Sequence, residues 1–176
     1  MNSTDKVVNR VADSGLITFD LEEYYPHEPA SAFDLKDYLF MGLILKEKDY
    51  REALKVVDWE FFRGKNVAIF CSADAIVPVW AYMLAGVYLQ PVANRFFFCK
   101  LEELNDKIFE ETIASLDVEQ FKNQRVIIKG CSNKPVPVAA YLAITRKLRS
   151  VARSLMYGEA CSNVPLYKQK SDPIHS

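Results

Sequence analysis

Val67-Ala68-Ile69-Phe70-Cys71-Ser72, followed after five residues by Pro78-Val79-Trp80-Ala81-Tyr82, is echoed later in the chain by Ile127-Ile128-Lys129-Gly130-Cys131-Ser132, with four residues before Pro137-Val138-Ala139-Ala140-Tyr141. The apolar run in each copy has the composition of a parallel strand buried on both faces. The proline suits the first turn of a helix, where its fixed φ is favourable and its missing N–H costs nothing. Between them stand Ser72 and Asp74, or Ser132 and Asn133, residue types whose side chains satisfy the free N–H groups of a helix start. Two strand–turn–helix units in the same order imply a parallel sheet with right-handed crossovers.

Reading outward, Arg95-Phe96-Phe97-Phe98 continues the pattern as a strand. Residues 102–116 form an amphipathic helix with Leu104, Ile108, Thr112 and Ile113 inward and acids near its start, where the helix dipole favours them. Arg125–Lys129 is a third strand, 137–152 the following helix, and Ser154-Leu155-Met156-Tyr157 a further strand. Upstream, 16–21 alternates as a short strand and 24–29 is a loop. Asp34 caps an expected helix over 35–45, and Tyr50, Ala53, Leu54 and Val57 share one face of a second helix. The expected fold is a single three-layer α/β domain over 1–168, with a mainly parallel sheet of about four to five strands and helices on both faces. Its helical part covers 34–60, its strand/helix repeat 64–157, and a disordered tail 169–176.

With 50% apolar and 12% aromatic residues, 176 residues suffice for one well-filled core. The balance of 22 Lys+Arg against 23 Asp+Glu lacks the basic excess of a nucleic-acid binder. The opening residues carry no apolar core of a secretory signal, and charged residues interrupt every long apolar run. The expected location is the cytoplasm, with neither nucleic acid nor membrane as partner. In that reducing compartment the four cysteines read as thiols, metal ligands or core residues rather than as disulfides.

In an open parallel sheet ligands bind beyond the carboxyl ends of the strands. Cys71, Cys131 and Cys161, the last in Cys161-Ser162-Asn163-Val164-Pro165, are expected on that rim. A helix amino terminus beside a cysteine favours its thiolate, hence nucleophilicity and metal ligation. Cys71, Cys131, Cys161 and Glu159 are therefore the candidate metal ligands, and Ser72, Asp74, Ser132 and Lys134 the candidate ligand-binding residues. Against this, cysteine is often buried simply as a small hydrophobe. Cys99 reads as core filler, Trp80, Tyr82 and Tyr141 as helix residues packing on the sheet, and His27 and His175 as solvated. The sequence holds no C-x-x-C, Gly-rich phosphate loop or G-x-S-x-G.

A set of motifs spread over nearly the whole chain resembles one bacterial family, catalogued as domain of unknown function 2480. They are Val8-Asn9-Arg10-Val11-Ala12 with Ser14-Gly15-Leu16-Ile17, Gly42-Leu43-Ile44-Leu45-Lys46-Glu47-Lys48-Asp49-Tyr50-Arg51, Cys71-Ser72-Ala73-Asp74-Ala75-Ile76-Val77-Pro78, Lys129-Gly130-Cys131-Ser132 with Lys134-Pro135-Val136-Pro137, and Ser154-Leu155-Met156-Tyr157-Gly158-Glu159. The resemblance brings no activity or catalytic residue with it. It implies a neighbourhood with genes for iron–sulfur cluster assembly, and so a metal or sulfur role for the cysteines.

Three functions follow as expectations. The first is a metal or iron–sulfur protein holding zinc, iron or a cluster, with a partner in iron–sulfur assembly. The second is a binding or scaffold domain in which the helix-start rim holds a small ligand or a protein partner and the cysteines only pack; a homo-oligomer is a separate expectation. The third is a thiol enzyme or sulfur carrier using Cys71 or Cys131, activated by its helix and by Lys134.

Overall fold

Short apolar runs bounded by turn residues become the central strands, and the apolar-faced segments between them become the crossover helices. The computed structural model describes residues 10–11, 15–130 and 133–170. Its strands are β1 (Arg10–Val11), β2 (Leu16–Asp20), β3 (Ala30–Asp34), β4 (Asn66–Phe70), β5 (Arg95–Phe98), β6 (Arg125–Lys129), β7 (Ser154–Glu159) and β8 (Ser162–Lys168). Its helices are α1 (Glu47–Lys55), α2 (Val79–Leu89), α3 (Leu104–Ser115) and α4 (Val138–Arg149). The fold is α/β with mainly parallel pairing.

The strands divide between two sheets, where the sequence pointed to one. A five-stranded sheet runs β1-β2-β6-β7-β8, and a three-stranded sheet runs β3-β4-β5. In the first, β2, β6 and β7 are parallel, with β1 and β8 antiparallel at the edges. The second is parallel throughout. The chain accordingly forms two compact units, an inserted unit of Pro26–Ile108 and a split unit of Met1–Tyr25 with Phe109–Ser176.

Each unit has its own core. In the inserted unit, Val67, Ala68 and Ile69 of central β4 are buried, and Phe33, Tyr50, Leu54, Ala81, Ala85 and Leu89 close over that sheet from β3 and the helices. In the split unit, Val126, Ile127 and Ile128 of central β6 are buried in the same way, with Phe19, Phe109, Ile113, Ala140, Ile144 and Leu148 around them. Each of the buried Val, Leu, Ile and Phe side chains contributes about 1.5–3 kcal/mol on burial.

The two units are versions of one module. A single constant offset carries Tyr50 onto Phe109, Leu54 onto Ile113, Phe62 onto Phe121, Val67 onto Val126, Pro78 onto Pro137 and Phe98 onto Tyr157. A second offset carries Phe19, Asp20, Leu21 and Tyr24 onto Phe33, Asp34, Leu35 and Tyr38. Ladder register agrees, since Asp34 pairs with Phe70 and Asp20 with Lys129. Ring geometry agrees as well: Phe19 stacks on Tyr24 and Phe33 on Tyr38, and Tyr82 meets Phe98 edge-on as Tyr141 meets Tyr157. Gly64 and Asn123, both with positive φ, make the same turn before β4 and β6.

Register corrects the repeat as the sequence alone aligned it. The stretch from strand to proline has equal length in both units, so no gap is needed. Cys71 then corresponds to Gly130, and Cys131 to Ser72: the two Cys-Ser dipeptides stand one residue apart in the module. The expected helix over 35–45 is instead a 3₁₀ turn at Leu35–Tyr38 followed by a tight turn closed by the Phe40–Ile44 bridge. Strand β8 is an addition to what the sequence suggested. The expectations resting on Cys131, Ser132 and His175 fall outside the described residues.

Candidate functional site

The carboxyl end of β3 and β4 in the inserted unit gathers Asp34, Cys71, Ser72 and Tyr82. Asp34 ends its strand, where an Asx turn stops extension by taking the Lys36 N–H at 3.0 Å on its own Oδ1. The same oxygen accepts the Ser72 N–H at 3.0 Å, and Oδ2 accepts the Ser72 hydroxyl at 2.6 Å. Lys36 adds its ammonium at 3.6 Å. Partial burial works to raise the Asp34 carboxyl, but the Ser72 and Lys36 hydrogen bonds and the Lys36 charge together hold it below the ordinary value. The half-buried Cys71 thiol donates to the Ala73 carbonyl at 3.7 Å. Tyr82 lies close by on α2, its hydroxyl raised first by burial and then by the proximity of Cys71 and Asp34.

The corresponding end of the split unit has different chemistry. Asp20 caps its turn through the Glu22 N–H at 3.0 Å and pairs with Lys129 at 3.2 Å. That contact, as hydrogen bond and as charge, raises the Lys129 ammonium. The Glu22 carboxylate accepts the Asn133 N–H at 3.0 Å, and Lys134 donates to the Glu22 carbonyl at 3.3 Å while standing 5.6 Å above the Tyr25 ring. Gly130, at φ 151°, occupies the place that Cys71 holds in the other unit. A Cβ there would stand 2.7 Å from that of Leu21 and 3.2 Å from the Tyr141 hydroxyl, so glycine is required.

The sequence-derived site residues belong to both units. Cys71, Ser72 and Asp74 follow β4 in the three-stranded sheet's unit, whereas Lys134, Glu159 and Cys161 belong to the five-stranded sheet's unit. The expectation of one rim assumed one sheet, and these residues follow strands of two. Cys161 is exposed in the two-residue turn between β7 and β8, with Glu159 exposed just before it. Asp74 is exposed, and Lys134 holds down the Glu22 turn. Among the described residues no three of His, Cys, Asp and Glu gather as a metal site. Cys99 is buried with Ala68, Leu104 and Ile108, and burial raises its thiol. Trp80, Tyr82 and Tyr141 are half-buried against the cores.

Asp34 was not among the site residues read from the sequence, although it organises the Ser72 turn. The signal was the pattern Phe19-Asp20-Leu21, two residues, Tyr24, repeated as Phe33-Asp34-Leu35, two residues, Tyr38. Also unanticipated is the apolar surface of the inserted unit. Ile76 is 91% exposed and bridges to the exposed Ile44, while Val79, Met83 and Val87 line the outer face of α2. None of the 11 residues of α2 is charged. In the described part of the chain no helix is long and apolar enough to cross a membrane.

No curated protein and no solved structure matches this chain. A family model does match, over residues 5–169, and the chain belongs to that family, described as Protein of unknown function (DUF2480).

Proposed function

We propose that this chain is a binding and assembly domain that docks through the uncharged outer face of α2, with a second copy of the chain as its partner. The observation that carries this reading is the exposure of Val79, Met83 and Val87, at 74, 67 and 68%, on a helix without charge. Four-residue spacing places them on one stripe. Ile76, Ile44 and Phe98 of the same unit are exposed as well, and exposed apolar surface marks interaction sites. A second copy suits the face because an uncharged stripe meets itself without like-charge repulsion, and its i±4 ridge is self-complementary across a two-fold axis.

Sedimentation velocity tests it. Wild-type protein at about 100 µM is expected to sediment as a dimer, and Met83→Lys as a monomer with unchanged far-UV circular dichroism. A monomeric wild type at that concentration overturns the reading and leaves a different protein as the partner to seek.

The metal reading has its own test. Metal analysis of anaerobically purified protein, repeated on Cys71→Ser, supports that reading if about one equivalent of iron or zinc is present and then lost. Metal content unchanged in the variant removes Cys71 from the ligand set. The thiol reading requires Cys71 to react with iodoacetamide faster than a model peptide.

A further inference from the structure

Between α4 and the carboxyl-terminal half of α3, within the split unit, lies an open groove of about 990 Å³. Ala114 of α3 and Ala139, Leu142 and Ala143 of α4 give it an apolar lining, and Glu110, Glu111 and Arg146 border it. We propose that this groove binds a small aromatic molecule of about the size of an indole and without net charge.

The argument for an aromatic ligand comes from the other copy of the module. The offset that carries Tyr50 onto Phe109 also carries Trp80 onto Ala139, Leu84 onto Ala143 and Tyr88 onto Lys147. In the inserted unit the Trp80 ring lies 6.1 Å from that of Tyr50 on α1 and 5.9 Å from the Arg51 guanidinium, centre to centre for the rings. Trp80 and Leu84 are both partly buried against that unit's core. An indole and an isobutyl group thus stand beside α1 where, beside α3, the chain offers only two methyl groups. The backbone frame accommodates an aromatic ring at this place, and the split unit does not supply one from its own sequence. A ligand ring seated on Ala139 and Ala143 would leave water for an apolar surface, which is favourable. The volume lies at the upper end of the roughly 300–1,000 Å³ of small-molecule sites. Charge decides the rest. The Lys147 ammonium is committed to the carbonyls of Ile113, Ala114 and Leu116 at the end of α3. The remaining bordering charges are of both signs, so a ligand without net charge meets the least repulsion.

Isothermal titration of the full chain with indole, indole-3-acetate and cyclohexanol tests the proposal. Indole is expected to bind saturably with a Kd below about 1 mM, and each of the other two at least about threefold more weakly. Ala139→Trp, which gives the split unit the side chain its counterpart carries, is expected to weaken indole at least about tenfold with unchanged far-UV circular dichroism. Ala143→Leu, the smaller change of the same kind, is expected to weaken it at least about threefold and decides the matter if Ala139→Trp does not fold. Absence of saturable indole binding, or binding unchanged in the folded variants, overturns the site. Cyclohexanol binding as tightly as indole overturns its aromatic character, and indole-3-acetate doing so overturns the preference for an uncharged ligand.

Discussion

The inserted and split units share strand register, aromatic pairs and helix positions, yet differ at every place where function is to be sought. At the carboxyl edge one has Cys71 and the other Gly130. On the outer helix face one has Val87 and the other Arg146. In the groove between its two helices one has Trp80 and the other Ala139. The lesson is that a repeated core supplies its own control: positions alike in both units serve the fold, and positions that diverge carry what is particular to each.

The largest expected effect tests the glycine. Gly130→Cys, which makes the split unit copy the inserted one, forces a left-handed φ on a side chain that meets Leu21 and Tyr141. A loss of about 3 kcal/mol in urea unfolding is expected. Unchanged stability would break the correspondence between Cys71 and Gly130.

Next comes Lys147, whose ammonium donates to the Ile113 and Ala114 carbonyls at the end of α3 and to that of Leu116 just beyond it, at 2.9, 2.5 and 2.5 Å. Its counterpart Tyr88 stacks on Trp59 instead. Lys147→Met leaves these carbonyls without that donor and is expected to cost about 1–2 kcal/mol.

Asp34→Asn sharpens the comparison at the carboxyl edge, with a loss of about 1 kcal/mol near neutral pH. Because the Asp34 carboxyl is held below its ordinary value, the folded state binds fewer protons than the unfolded one. Its contribution is complete above the ordinary carboxylate range and disappears as pH falls through the lowered value. Unfolding midpoints at pH 6 and about pH 3 should therefore differ less in Asp34→Asn than in the wild type. The smallest effect belongs to Glu119→Gln, which removes an exposed pair with Lys122 at 3.3 Å and should leave the midpoint unchanged within error.

Much of this fold could be read from the sequence because central parallel strands are continuous apolar runs. Arg125–Lys129 and Arg95–Phe98 have the bounds the sequence suggested. β3 escaped because Ala30-Ser31-Ala32 lacks the bulky residues of a buried strand and only Phe33 is buried. β8 escaped because it is an exposed edge strand containing Pro165. With β3 unseen, all the other strands were assigned to one sheet, and the cysteines were placed on one rim as a consequence. The identical Cys-Ser dipeptides also attracted an alignment one residue out of register, since only ladder pairing fixes which residues correspond. The α2 surface was hidden for a different reason: an all-apolar helix reads as buried, and periodicity does not say which of its faces meets water.

Radical oxidation footprinting at low and high protein concentration tests the central claim, that α2 rather than α4 is the assembly face, most directly. Met83 should lose reactivity as concentration rises, while Leu142 at the corresponding position of α4 keeps its own. Equal reactivity of Met83 at both concentrations, or equal protection of Met83 and Leu142, would contradict the account.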